Sequence, residues 1–351
     1  MQNIKSVLTT SIIIVSLIIP LIGICLLYDP NIKFEITNYI ISITIFTIYQ
    51  SFLSALISLI IGSIFAYYLK KNSEIGIIKL IVNLLSILFV MPTIIIVLGM
   101  LTFFNSFTNI YGPFGIVFCH VILNLPLATR IIYQSLNDIS GNEYILAEQM
   151  GLKKFETFLA TEWQIIKKNA PSLFALIFFI CFVSFTPVLI LGGSPKYSTI
   201  EVSIYQSVVF LNNYNTAFYL LILQLLICSI IFFLTFKNFK SENFFLDDRK
   251  IHLKNELPFR NKFTDYSIII FISLTLFISP IAIFFRGINL KFFEVFSSNY
   301  FLSSLSDTFL ICFGSGILSL LFTLNILQIL DKSKKSYEYL LYIFLVLSPG
   351  I

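Results

Sequence analysis

Few residues of this 351-residue sequence could carry out chemistry, and those that could are isolated within strongly apolar segments. His120 is one of two histidines and has no second metal ligand near it in sequence, so the pattern does not favour a metal site. Asp307 is the only acidic residue well inside an apolar segment. Because no paired carboxylates, His/Asp cluster or Ser/His set occurs there, the sequence argues against an enzyme active site within those segments.

Nucleotide and redox chemistry are not indicated either. The sequence has no G-x-x-x-x-G-K-[S/T] motif and not even a Gly-Lys pair, so we expect no phosphate-binding loop and no cofactor in this chain. The five cysteines occur singly in apolar segments without CxxC spacing, which favours packing over metal binding or disulfide bonds. Energy for any work done by this chain would have to come from another protein.

The remaining candidates are polar side chains within the apolar segments. Such groups are costly in an apolar environment and are often functional. They also form ordinary hydrogen bonds between helices, and the residues alone leave both interpretations open. They are Gln50, His120, Asn124, Ser184, Thr186 and Gln224.

The composition predicts that lipid surrounds most of the chain. Hydrophobic residues make up 57% and charged residues only 12%, against about 25% charged in soluble proteins. A helix of roughly 20 apolar residues spans the hydrocarbon core, and the apolar runs here are continuous, so the fold class is an all-α, polytopic membrane helix bundle. The runs are 7–28, 39–69, 78–104, 114–136, 172–191, 216–236, 266–285 and 301–330, with a ninth beginning near residue 339.

The basic residues predict the orientation. With the N-terminus in the cytoplasm, 19 of the 23 Lys and Arg residues fall in segments on the inner side, as the positive-inside rule requires. The first run lacks a small-residue cleavage site and is long enough to span, so we interpret it as a retained helix. The net charge of +5 then reflects topology and not nucleic-acid binding.

The segment 146–171 interrupts this apolar chain with charged residues and the only tryptophan. Ser140 and Glu143, just before it, have capping-box spacing and predict the start of a short helix. Gly151 is expected to end that helix, and a second helix is expected from near Lys153. The pair would lie across the inner face of the membrane, either as a plain amphipathic connection or as a docking element that receives force from a soluble protein.

An internal repeat predicts two similar halves. Residues 38–59 match residues 299–320 at eight positions after a shift of 261 residues, and both copies keep the same membrane orientation. We expect a first transmembrane half at 1–236, with a loop at about 137–171, then a cytoplasmic linker at 237–265 and an incomplete second half at 266–351. The chain is therefore expected to be a C-terminally truncated product or a fragment.

The segment 146–171 resembles the coupling motif of permeases of ATP-binding-cassette (ABC) importers, E-A-A-x3-G-x9-I-x-L-P. Ala147 and Gly151 take the third position and the glycine position, whereas Ile145 and Leu146 stand where Glu and Ala are expected. Further similarity, to the thiamine/thiamine pyrophosphate permease family within this class, covers nearly the whole chain. It is carried by segments 47–59, 120–130, 175–208 and the final S-P-G-I.

The resemblance implies a type I ABC-importer permease fold and a subunit that translocates thiamine or its phosphates across the bacterial inner membrane. It implies no enzymatic activity in this chain, a separate ATPase dimer that binds ATP on the cytoplasmic side, and a periplasmic substrate-binding protein. The residues it assigns to the ATPase contact are Ala147, Glu148, Gly151, Glu162 and Trp163. The possible translocation path comprises Gln50, Asn124, Ser184 and Thr186.

Two alternatives stay open at this point. Ferric-iron permeases of the same class have a similar two-half plan, and a permease contains little of the specificity of its transport system. An inactive truncated product is the other alternative, since an incomplete second half would lack its own coupling loop.

Overall fold

The computed structural model describes residues 37–193, 195–236, 262–288 and 292–330, together with residues 22, 23, 26, 27 and 29. Most of the predicted first run, most of the linker and the ninth run lie outside these residues. The described part is helical and contains no strand. Its helices are α1 (Asn38–Lys71), α2 (Gly76–Val90), α3 (Thr93–Phe104), α4 (Pro113–Asn137), α5 (Gly141–Gln149), α6 (Lys154–Ala160), α7 (Glu162–Phe182), α8 (Thr186–Leu191), α9 (Ile200–Val209), α10 (Tyr214–Phe236), α11 (Lys262–Gly287), α12 (Phe292–Phe296) and α13 (Asn299–Leu330).

Six helical segments in the described part are long and apolar enough to cross a membrane. They are α1, α4, the adjoining helices α6 and α7 taken as one span, α10, α11 and α13. The predicted runs 39–69, 114–136, 216–236, 266–285 and 301–330 are thereby confirmed as helices, and the chain is a multi-pass helical membrane protein.

The predicted run 78–104 is not one straight helix. It is bent by 104° between α2 and α3, at Met91 and Pro92. Pro92 has no N–H to continue the helix, and the residue before a proline is pushed out of the helical region, as the ψ of 137° at Met91 shows.

The predicted run 172–191 is also corrected. Helix α7 begins ten residues earlier, at Glu162, and ends at Phe182, and a short turn separates it from α8. Pro187 lies in the first turn of α8, where a residue without an N–H is tolerated. In a continuous helix, the carbonyl of Val183 would have required an N–H from residue 187, which proline lacks.

The chain divides into two compact units. One comprises Ile36–Val202 and Phe233–Ile283, and we call it the main unit; the other comprises Met1–Glu35, Ser203–Phe232 and Phe284–Ile351. In the second of these, the Asn215 side chain on α10 accepts a hydrogen bond from the Asp29 backbone N–H at 2.9 Å and donates one to the Asp29 carbonyl at 2.7 Å.

In the main unit, α1 packs against α4 and α7. Small residues occur at every fourth position of α1, at Ser54, Ser58 and Gly62, and all three contribute to the buried face of the helix. A Cβ atom on Gly62 would lie only 2.7 Å from the Cβ of Ala128 on α4. Close approach through small residues is typical of helix packing in membranes, where apolar burial alone gives no driving force.

A buried ion pair joins α1 to α11 within the main unit. The Lys71 ammonium lies 2.8 and 3.0 Å from the two carboxylate oxygens of Asp265, and both side chains are almost completely buried. Farther along α11, toward its C-terminal end, the backbone at Ser279 approaches Gly99 on α3 so closely that a Cβ on Gly99 would collide with the Ser279 carbonyl. These two contacts hold α11 against α1 and α3 within the main unit.

Candidate functional sites: a helical hairpin and a cleft

The charged segment forms a helical hairpin, residues 141–163, built from α5, α6 and the start of α7. Helix α5 ends in a Schellman motif: the N–H of Leu152 donates to the Ala147 carbonyl at 3.1 Å, and the N–H of Gly151 donates to the Glu148 carbonyl at 2.9 Å. Gly151 has a φ of +71°, which glycine adopts without the steric cost that other residues incur. The predicted break at Gly151 is confirmed.

The second arm of the hairpin differs from its prediction. It is interrupted at Thr161, where φ is −110° and ψ is −82°, so α6 and α7 are separate helices. Ser140 is the N-cap of α5, but its hydroxyl contacts the Glu143 carboxylate at 3.4 Å and not a backbone N–H. A glutamate that accepts from the N-cap N–H is found instead at α6. There the backbone N–H of Lys153, the N-cap, donates to Oε2 of Glu156 at 2.7 Å.

A buried carboxylate joins the two arms. Glu162 is only 4% exposed, and its Oε1 accepts a hydrogen bond from the Tyr144 hydroxyl at 3.0 Å. The hydroxyl of Thr161 donates to the other carboxylate oxygen. Burial, and then the neighbouring Glu162 carboxylate, raise the pKa of Tyr144 above its usual value, so its hydroxyl stays protonated and able to donate. The hairpin is therefore pinned internally by side chains of α5 and α7.

Aromatic packing ties the hairpin to α1. The ring of Phe158 on α6 meets the ring of Tyr67 on α1 edge to face, with centroids 5.3 Å apart. The hairpin is thus held against α1 in addition to its covalent connection to the rest of α7.

The outer side of the hairpin exposes large apolar side chains. Met150 is 75% exposed and Phe155 is 67% exposed, and Leu146 and Trp163 are also exposed. We call these four residues the apolar patch. Exposed large apolar side chains concentrated on one short segment are typical of a surface that another protein or the membrane covers.

The five residues assigned to a partner contact fall into two groups. Glu148, Gly151 and Trp163 lie at the surface of the hairpin. Ala147 and Glu162 are each 4% exposed, so they support the hairpin from inside.

The second feature is a cleft of about 250 Å³ within the main unit. It lies where two helices are interrupted, with Met91 and Thr93 from the α2–α3 break and Ser184 and Phe185 from the α7–α8 break. His120 and Asn124 on α4 complete its polar lining, together with Thr186. Interrupted helices at membrane depth are tolerated where the freed backbone is buried in protein or lines a cavity.

Three of the four residues assigned to a translocation path, Asn124, Ser184 and Thr186, line this cleft. Gln50 does not. Its amide nitrogen donates to the Ser51 hydroxyl at 2.8 Å and to the Cys181 carbonyl at 3.0 Å, which links α1 to α7.

Two hydrogen bonds fix the side chain of Asn124 next to the cleft. Its amide nitrogen donates to the His120 carbonyl at 2.8 Å and to Cys181 Sγ at 3.3 Å. Among the residues that the structure describes, no group of three or more His, Cys, Asp or Glu side chains is arranged to hold a metal ion.

The sequence is similar to curated permeases. It is 28% identical over 315 residues to the thiamine transport system permease protein ThiP of Escherichia coli, a match that covers 83% of this chain and 57% of the relative. It is 32% identical over 213 residues to ThiP of Haemophilus influenzae, covering 56% of this chain and 39% of the relative. The chain is similar to the thiamine permeases. A third relative, ThiP of Brucella abortus, is 30% identical over 198 residues, covering 52% of this chain and 36% of its own length.

The thiamine permease resemblance is therefore confirmed, over a chain that spans between about a third and three fifths of the length of these relatives. No family model matches the chain. The matched proteins are transport permeases, and none of the relatives named here is an iron permease, so the ferric-iron alternative gains no support.

The sequence alone did not indicate two features of the molecule. Tyr144 was not singled out, because a tyrosine 18 residues before a glutamate has no periodic relation to it until the hairpin folds. The pair of Lys71 and Asp265 was also missed, because 194 residues separate them. The signal that could have found the pair is that each is a charged residue at the edge of a long apolar run.

Proposed function

We propose that this chain is the permease subunit of an ABC importer that carries thiamine, or its phosphates, across the bacterial inner membrane. The names of its relatives support the cargo, and the six candidate spans support the membrane role. In this proposal the chain moves cargo, a separate ATPase dimer hydrolyses ATP, and a periplasmic binding protein delivers the cargo.

The observation that carries the mechanism is the hairpin with its apolar patch at one end of α7. A soluble ATPase that covers this patch can push the hairpin when it closes on ATP. Glu162 and Tyr144 keep the hairpin rigid, so a push is not absorbed within it.

Helix α7 transmits the push. It has 21 residues, which corresponds to a rod of about 30 Å. One end is the hairpin and the other end is the turn at Ser184, which lines the cleft. Motion of the hairpin would therefore reshape the cleft, which is the rigid-body rocking expected of a transporter.

The proposed orientation follows the basic residues. With the N-terminus in the cytoplasm, the hairpin and its lysines lie inside, where the ATPase is, and the opposite end of the bundle meets the binding protein. Residues 1–236 form the first half and 266–351 part of the second. The repeat has a structural counterpart, because both α1 and α13 begin at an asparagine and have a hydroxyl N-cap, Thr37 and Ser298.

Uptake of radiolabelled thiamine tests the function. The chain is expressed in cells that lack their own permease but supply the binding protein and the ATPase, and membrane insertion is checked by blotting. We expect saturable uptake that excess unlabelled thiamine abolishes and that ferric iron leaves unchanged. Absence of uptake from an inserted chain, with a full-length relative active in the same cells, would overturn the proposal.

Copurification of the ATPase tests the docking surface separately. Met150→Glu and Phe155→Glu place charge in the apolar patch and are expected to weaken ATPase binding by about thirtyfold or more, since anchor residues of an interface contribute about 2 kcal/mol or more. Phe107→Glu is the matched control, because Phe107 is 73% exposed but lies outside the hairpin. Equal recovery with all three variants would contradict docking at the patch.

A further inference from the structure

The cleft contains a buried histidine without a partner. His120 is only 1% exposed, and neither of its ring nitrogens has a hydrogen-bond partner among the described residues. Buried polar side chains in folded proteins are nearly always hydrogen-bonded, and a group that is not requires an explanation. His120 lines the cleft, so a molecule in the cleft can supply the missing partner.

The position of the cleft favours a cargo over a structural void. Binding sites of membrane transporters are typically formed by discontinuous helices near the middle of the membrane. The cleft receives residues from two such interruptions, at Met91 and at Ser184, and from α4 between them. It also lies at the end of α7 that is remote from the hairpin.

The lining limits the chemistry of the ligand. It contains the aromatic rings of Phe89 and Phe185 and no Asp, Glu, Lys or Arg side chain. Aromatic faces attract flat heteroaromatic rings, and they attract cationic ones further. A phosphate or carboxylate would meet no charged partner in this lining and would be costly to bury.

The size of the cleft limits how much of a ligand it takes. Pockets that enclose whole drug-sized molecules measure about 300–1,000 Å³, and this cleft is smaller, at about 250 Å³. It has room for one substituted ring, with the rest of a larger molecule outside.

The hydrogen-bonding groups of His120 further restrict which ligand rings the cleft can bind. A neutral imidazole presents one donor and one acceptor. These two groups point to opposite sides of the imidazole, so one of them at a time can meet a ligand ring, and an amino group on that ring would donate to the acceptor nitrogen.

We propose that the cleft binds the aminopyrimidine ring of the cargo, with His120 as the residue that determines specificity. The cargo itself is taken from the proposed function, on which this inference rests. The unpaired imidazole would hydrogen-bond to the amino edge of the ring, and Phe89 and Phe185 would contact its faces. Phosphate groups of a phosphorylated cargo would remain outside the cleft.

Protection of a cysteine in the cleft tests this binding directly. Ser184→Cys is labelled in membranes with a charged methanethiosulfonate, and site-resolved mass spectrometry reads the label at that position alone. Thiamine is compared with oxythiamine, in which a carbonyl replaces the amino group. Thr186→Cys is a second reporter in the lining, and Ser135→Cys on α4, outside the lining, is the control.

We expect thiamine to protect both cleft cysteines at a concentration about tenfold below that of oxythiamine, which corresponds to about 1.4 kcal/mol. The same tenfold loss is expected for thiamine in His120→Leu. His120→Gln should keep the preference for thiamine, because an amide also offers a donor and an acceptor. Labelling of Ser135→Cys should not respond to either compound.

Two results would overturn the inference. One is labelling of the cleft cysteines that thiamine does not slow. The other is a preference for thiamine over oxythiamine that persists unchanged in His120→Leu. The uptake assay distinguishes binding in the cleft from the proposed transport function. Thiamine uptake without protection of the cleft cysteines would contradict the cleft site alone. Protection without uptake would support the cleft site and contradict transport by this chain.

Discussion

Helices α1 and α13 are two copies of one sequence pattern with opposite surroundings. Shifted by 261 residues, Thr47 and Ser58 on α1 correspond to Thr308 and Ser319 on α13. The α1 residues are completely buried, whereas their α13 counterparts are exposed, as are all described side chains of α13 except that of Phe301.

The difference shows what the pattern specifies and what it does not. Apolar composition and a hydroxyl N-cap are enough to specify a long helix in both copies. Burial of the small-residue face depends on partner helices, and α1 has them in α4 and α7. Substitutions that add bulk or remove a hydrogen bond at matched positions should therefore have unequal effects, large in α1 and small in α13.

The largest effect is expected at the end of α1, at Lys71. Lys71→Met leaves the Asp265 carboxylate buried without its partner, a change that costs about 3–5 kcal/mol. The measurement is thermal unfolding of the purified protein in detergent. Lys79→Met, at an exposed lysine on α2, is the control and should unfold like the parent chain. Equal unfolding temperatures for both variants would show that the ion pair does not hold α11.

The next effect is expected at the tightest helix contact. Gly62→Leu forces a side chain into the space between α1 and Ala128, where even a Cβ would be too close, and overpacking costs about 1–3 kcal/mol or more. Its counterpart Thr323→Leu adds an apolar group to an exposed position of α13 and should be tolerated. If both variants lost the same stability, measured by unfolding in detergent, the contrast between the two helices would be wrong.

A smaller effect is expected from a single hydrogen bond. Thr47 Oγ1 accepts the N–H of Ile200 at 3.0 Å, and Thr47→Val leaves this buried N–H unpaired at a cost of about 1–3 kcal/mol. Thr308 donates only to the Ser304 carbonyl of its own helix, so Thr308→Val should cost little. Hydrogen exchange of the Ile200 amide gives a second, local measurement: it should quicken in Thr47→Val and stay unchanged in Thr308→Val.

The smallest effect is expected at Ser58. Its hydroxyl is buried without a hydrogen-bond partner among the described residues, so Ser58→Ala removes an unpaired polar atom and should leave stability unchanged or slightly raised. Ser319→Ala on α13 should also be neutral. A clear loss of stability in Ser58→Ala alone would reveal a partner for this hydroxyl and would sharpen the description of the α1 face.

The sequence predicted the helices because runs of about 20 apolar residues in lipid have few alternatives. It also predicted the break at Gly151, since only glycine adopts that backbone conformation at low cost. It did not predict where the interruptions at Pro92 and Pro187 would fall relative to each other, because that depends on how helices pack.

The candidate sites were predictable to different degrees. Composition marked the hairpin, but not that Glu162 is buried while Trp163 is exposed, because the break at Thr161 determines which face of α7 packs inward. Polar residues in apolar runs are alike in sequence. Only the packing of α4 beside α7 shows that Asn124 lines the cleft and that Gln50 does not.

The central claim is that the hairpin and the cleft move together through α7. The most direct test is the labelling rate of Ser184→Cys in membranes that contain the ATPase, with and without ATP, in the parent chain and in Gly151→Val. Valine cannot adopt the φ of +71° at that turn without strain, so the variant should distort the hairpin and leave the cleft intact. We predict that ATP changes the labelling rate in the parent chain and not in Gly151→Val. The same rate with and without ATP in the parent chain, with the ATPase bound and hydrolysing, would contradict the account.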